Sequence, residues 1–105
     1  MNESRHLAGM LKVLAVETRV RIIRLLKEHP LCVGALSARL DVTQGAVSQH
    51  LRVLREAGLV SAEKRGYFVH YRLNEKMLGQ WKMRMDTLLE PPTNTGCACR
   101  RKQRG

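Results

Sequence analysis

The residues of this chain best equipped for chemistry are three cysteines and one cluster of hydrogen-bonding side chains. Cys32 stands alone, whereas Cys97 and Cys99 form a Cys-x-Cys pair next to Arg100, Arg101 and Lys102. Thiolates bind soft ions and can be oxidised in pairs, and the neighbouring cations favour the thiolate form in that segment. The second set is Gln44, Ser48, Gln49 and Arg52. Their amides, hydroxyl and guanidinium are the groups that reach base edges and phosphates in duplex DNA. No nucleophile–base pair, phosphate-binding glycine loop or pair of carboxylates flanking a cleft accompanies them, so an enzyme is not expected.

The second set needs a helix to act together, and the surrounding pattern supplies one. Val47, Leu51 and Leu54 share one face of a helical wheel; Gly45, Ser48, Gln49, Arg52 and Glu56 take the other, and His50 falls on the border. Thr43 has the hydroxyl to cap the start, and Gly58 can end the helix in a left-handed turn. Upstream, Leu7, Met10, Leu11 and Leu14 predict a helix over roughly 4–14. Val16, Val20, Ile23 and Leu26 predict a second, which His29-Pro30 stops, and Val33, Leu36 and Leu40 a short third. Downstream, the alternation of Val69, Tyr71 and Leu73 with Phe68, His70 and Arg72 is a strand's period of two. Arg65-Gly66 makes the turn of a basic hairpin that also carries Lys64. Asn74 caps a last helix bearing Met77, Leu78, Trp81, Met85, Leu88 and Leu89, before Pro91-Pro92.

The expected fold is therefore mainly α with a β-hairpin wing: about five helices plus a two-stranded hairpin, a winged helix-turn-helix. Residues 1–90 would form the DNA-binding and dimerisation domain, and 91–105 a flexible basic tail. The third and fourth helices have the spacing of a helix-turn-helix, the fourth entering the major groove. There Gln44 and Gln49 would bond base edges, Arg52 a guanine or a phosphate, and Ser48 either. His50 is equally suited to a base contact or to packing against the third helix. Lys64, Arg65 and Arg72 would lie near the backbone or minor groove.

Bulk charge agrees. The 105 residues carry a formal charge of +10, and residues 1–90 hold 15 of the 19 basic side chains along with all nine acidic ones. The excess thus belongs to the folded part as well as the tail, and favours nucleic acid or an acidic surface. No apolar run approaches the roughly 18–20 residues of a membrane span, and the first residues lack a signal-peptide layout. An odd number of cysteines argues against a disulfide framework, so a cytoplasmic protein with reduced thiols is expected.

Val47-Ser48-Gln49-His50-Leu51-Arg52-Val53-Leu54, followed by Ala57-Gly58-Leu59-Val60, Arg65-Gly66 and Tyr71-Arg72-Leu73, resembles the ArsR/SmtB family of bacterial metalloregulators. Glu17-Thr18-Arg19-Val20-Arg21-Ile22-Ile23 is similar to that family's signature at its second helix. The resemblance covers roughly residues 5–90 and implies a homodimeric repressor that leaves its operator when an inducer binds. It also implies a dimer interface on the first and last helices, here Leu7, Met10, Leu11, Met77, Trp81, Met85 and Leu88. A dimer is sensible on physical grounds too, because a small domain must bury two apolar terminal helices somewhere.

Arsenic-responsive members carry Cys-x-Cys where this chain has Cys32-Val33-Gly34, so only the first position matches. The tail pair is the candidate replacement. From Glu90 to Cys97 an extended chain reaches about 23–25 Å, enough to fold back on either protomer's Cys32. A three-thiolate set of Cys32, Cys97 and Cys99 suits As(III) or Sb(III), with Cd(II) a further candidate, better than four-coordinate zinc. The family's alternative Asp/His site is unsupported, since residues 74–90 contain no histidine. Two rivals remain: a redox or persulfide sensor in which Cys32 bonds to a tail thiol, and a thiol or metal carrier without specific DNA binding.

Overall fold

A computed structural model describes residues 2–93 of the chain. Five helices and three strands follow in the order α1 (Glu3–Leu14), α2 (Glu17–Leu26), β1 (Leu31–Cys32), α3 (Val33–Leu40), α4 (Gln44–Glu56), β2 (Val60–Arg65), β3 (Phe68–Leu73) and α5 (Glu75–Leu89). This is the winged helix-turn-helix expected, and local chemistry sets most of its boundaries. Asn2 Oδ1 accepts from the amides of Ser4 and Arg5 at the start of α1. Thr43 Oγ1 accepts from Ala46 N, and Asn74 Oδ1 from Met77 N, both at 3.1 Å. These caps satisfy amides that the first helical turn leaves without partners. Helix α2 ends at Leu26, before His29-Pro30.

The turn between α3 and α4 is held from both sides. Asp41 adopts φ 58°, which the short polar side chain tolerates better than most. Ser37 Oγ donates to the Val42 carbonyl, and the amides of Asp41 and Val42 both bond the Ser37 carbonyl. At the far end of α4, Gly58 takes φ 83°. Its amide donates to the Arg55 carbonyl and that of Leu59 to the Leu54 carbonyl, closing the helix.

The core gathers where α2, α3, α4 and the start of β2 meet. Ile22, Leu36, Val47, Leu51, Leu54 and Leu59 are essentially inaccessible. Each such side chain contributes roughly 1.5–3 kcal/mol by leaving water. Leu7 and Met10 of α1 and Trp81 of α5 join the same cluster. Arg84 Nη1 also donates to both carboxylate oxygens of Glu3, at 3.1 and 3.2 Å, tying α5 to α1.

The sheet has one strand beyond the hairpin read from the sequence. Its order is β1-β3-β2, with Leu31 opposite Tyr71 and Cys32 opposite His70. Two residues leave no readable alternation, so this pairing exists only once the chain has folded. Its effect is to fasten the wing to the start of α3.

Candidate nucleic-acid interface

Helix α4 buries Val47, Leu51 and Leu54 and exposes Gln44, Ser48, Gln49 and Arg52. Burial of one stripe fixes the rotation of the helix, so the four polar side chains must face outward as a set. Arg52 lies 3.6 Å from Glu56, but both side chains are largely exposed. Such a pair stabilises little and leaves the guanidinium free to exchange its partner.

His50 lies between the two faces and has an internal partner. Arg19 Nε of α2 donates to His50 Nδ1 at 3.1 Å, and Arg19 Nη1 donates to the Val13 carbonyl of α1 at 3.2 Å. Burial first, and the Arg19 charge second, hold the imidazole pKa below its ordinary value. With Nδ1 accepting, the neutral ring carries its proton on Nε2, which makes that nitrogen a donor. The hydrogen-bond partner is thus on α2, where the sequence left a base contact and packing against α3 equally open.

On the wing, Lys64, Arg65 and Arg72 are exposed, but not equally available. Arg72 Nη1 donates to Glu63 Oε1 at 3.0 Å, and Arg65 Nε lies 3.7 Å from Glu63 Oε2. The Arg72 hydrogen bond, followed by the Arg65 charge, holds the Glu63 carboxyl below its usual range. Lys64 has no ion pair among the described residues. Neither Glu63 nor Arg19 was legible as part of this surface. Arg19 lies 31 residues from its partner, and Glu63 reads as an ordinary solvated charge.

The thiol expected to sense an inducer borders this surface. Cys32 is a free, half-buried cysteine at the N-cap of α3. A Cβ built on Gly34 would lie 4.0 Å from Cys32 Sγ and 3.8 Å from Gln44 Nε2. The space beside Gly34 is therefore bordered by both the thiol and the first polar side chain of α4. Across the sheet, His70 shares the face of Cys32 by register, and its buried Nδ1 has no partner among the described residues. Those residues contain no group of three or more His, Cys, Asp or Glu placed to hold a metal. Cys97 and Cys99 lie outside them.

The expected dimer residues divide by exposure. Leu7, Met10 and Trp81 are buried in the chain's own core, Met77 and Met85 are half-buried, and Leu11 and Leu88 are exposed. Leu89, read from the sequence as part of the last helix's apolar set, and Met83, which was not, are more exposed still. No helix among the described residues is long and apolar enough to cross a membrane.

Comparison with known proteins places this geometry. The family described as bacterial regulatory protein, arsR family, matches residues 17–62. The arsenical resistance operon repressor of Escherichia coli K12 is 48% identical over 66 residues, spanning 62% of this chain and 56% of that protein. The transcriptional activator HlyU of Vibrio cholerae is 45% identical over 65 residues, 62% of this chain and 60% of that one. The chain thus spans less than two thirds of these relatives' length. A solved structure of V. cholerae HlyU aligns at 35% identity and a TM-score of 0.65, over 85% of this chain and 98% of that one. At 23% identity and a TM-score of 0.64, a homodimeric winged helix-turn-helix DNA-binding domain from Mycobacterium bovis covers 82% of this chain and 78% of its own, and shares the fold.

Proposed function

The chain belongs to the bacterial ArsR family of transcriptional regulators, and from that premise we propose that it is a homodimeric repressor released from its operator by a thiophilic inducer. The observation that carries the DNA half is α4, whose outward face presents Gln44, Ser48, Gln49 and Arg52 while its inward face is locked by Val47, Leu51 and Leu54. Two copies would set two such helices about one DNA turn apart, roughly 34 Å, on a pseudo-palindromic site. The homodimeric Mycobacterium bovis domain supports that assembly. Membership of a family of regulators stands against the carrier reading and against catalysis.

For the inducer, the reading favoured is arsenite or antimonite on the thiolates of Cys32, Cys97 and Cys99. Three thiols replace the three hydroxides of arsenous acid and release three waters. The E. coli relative, a repressor of an arsenical resistance operon, supports this choice. The neighbourhood of Gly34 supports a route to DNA, since the Cys32 thiol and the Gln44 amide both border that residue. Roughly 3–5 kcal/mol of preference for the DNA-incompetent state releases most of the operator.

The test is fluorescence anisotropy of the full chain on a duplex it has selected from a random pool, with arsenite, antimonite, Cd(II), Zn(II) and peroxide titrated in parallel. Release by arsenite or antimonite, lost in Cys32→Ser and in the Cys97→Ser/Cys99→Ser double variant, is the expected result. Release by arsenite in both variants removes the three-thiol site. Release by peroxide alone favours a second reading, for which the free thiol of Cys32 speaks. There Cys32 and a tail thiol form a disulfide, passing two electrons and two protons to the oxidant.

A further inference from the structure

At the tip of the wing the chain exposes two adjacent aromatic rings. Tyr67 is 99% exposed and Phe68 61% exposed, where β2 turns into β3. Gly66 at φ 63° occupies the first central position of this two-residue turn, a conformation that suits glycine and matches the twist of the strands. Nothing in the core recruits Tyr67. Large apolar groups displayed this way mark contact surfaces more often than packing.

The neighbourhood says what the contact is with. Lys64 and Arg65 precede the turn, and the nearby carboxylate of Glu63 is already engaged by Arg72 and Arg65. The tip is therefore cationic and aromatic together, which fits a polyanion with apolar surface. It is also fastened to α4: Leu59 is buried, its carbonyl accepts from Asn74 N at 2.8 Å, and β2 starts at Val60. Six strand residues at about 3.3 Å each carry the tip roughly 20 Å from that anchor. Half a turn of DNA, the spacing from a major groove to the adjacent minor groove, is about 17 Å.

We propose that Tyr67 and Phe68 form an apolar wedge that enters the minor groove beside each α4 and selects a deformable pyrimidine–purine step there. This rests on the DNA-binding reading above and adds specificity at base pairs that no hydrogen-bonding side chain of α4 touches. Apolar wedges part base steps, and TA and CA/TG steps part most readily, whereas A-tracts resist.

The test uses the full chain and a duplex it has enriched from a random pool, with both rings replaced as Tyr67→Ala/Phe68→Ala. Both side chains lie in solvent, so circular dichroism and melting should match the wild type. The expected result is a roughly 10–100-fold weaker affinity with an unchanged slope of log K against log salt. Lys64→Ala/Arg65→Ala instead lowers that slope by about 0.9 for each phosphate no longer neutralised. Replacing the flanking step by an A-tract should weaken the wild type and leave the double variant nearly unaffected. Equal binding by variant and wild type, or an equal flank effect on both, overturns the wedge while leaving α4 as the reader. A double variant weakened only toward anionic lipid vesicles also overturns it. Failure to enrich any duplex overturns the wedge and the DNA-binding reading together.

Discussion

Arg19 of α2 and His50 of α4 share a hydrogen bond of 3.1 Å, and the same guanidinium holds the Val13 carbonyl near the end of α1. One side chain thus links the proposed dimer helix, the second helix and the proposed DNA reader. Removing it by Arg19→Ala should leave the core intact but loosen the seating of α4. An operator affinity about 5–30-fold weaker is expected, equivalent to roughly 1–2 kcal/mol. Anisotropy titration beside a thermal melt separates this from unfolding.

The same contact gives a pH dependence with a definite sign. The folded protein holds the His50 pKa below 6.5, so below that value the unfolded chain binds more protons than the native state. The contribution is complete above 6.5 and is lost as pH falls through the lowered folded value. Thermal midpoints of the wild type should therefore drop more between pH 7 and 5 than those of His50→Gln, which keeps an acceptor for Arg19 but does not titrate. Parallel curves for the two proteins would sink the assignment.

On the proposed reading face, Gln49→Ala should cost about 1–3 kcal/mol of operator discrimination without altering the melting temperature. The comparison is affinity for the selected duplex against a scrambled one, both at the same salt concentration. An unchanged ratio would move base reading away from Gln49.

Gly58 bears on stability alone. With φ 83° its replacement by alanine forces a left-handed conformation, and the new Cβ would stand 2.9 Å from the Met77 methyl. That methyl is the flexible end of its side chain and can give way, so the backbone sets the cost at about 1–2 kcal/mol. Gly58→Asn should lose less, because asparagine tolerates the region. Urea denaturation of the three proteins measures the order.

Position 34 offers a rescue test of the inducer reading. A Cβ there makes only ordinary contacts, 4.0 Å to Cys32 Sγ and 3.8 Å to Gln44 Nε2. Gly34→Cys should fold and set a second thiol beside Cys32. Combined with Cys97→Ser/Cys99→Ser, it is expected to restore the arsenite-driven release that the serine variant lacks. Persistent failure would place the inducer away from α3.

Much of this protein was readable before folding. Thr43, Gly58 and Asn74 act within a turn of their own positions, so their capping roles follow from residue type and spacing. The apolar stripe of α4 likewise fixes which side chains face out, and with them the face proposed to read DNA, from sequence alone. The tertiary structure decided what depends on residues far apart in the chain. It paired Leu31 and Cys32 with β3, gave His50 its partner in Arg19, committed Arg72 to Glu63, and brought Cys32 and Gln44 to either side of Gly34. Such pairings leave no periodicity to read. Helical and strand patterns record which face is buried, whereas the partner across an interface is settled only when whole elements pack together.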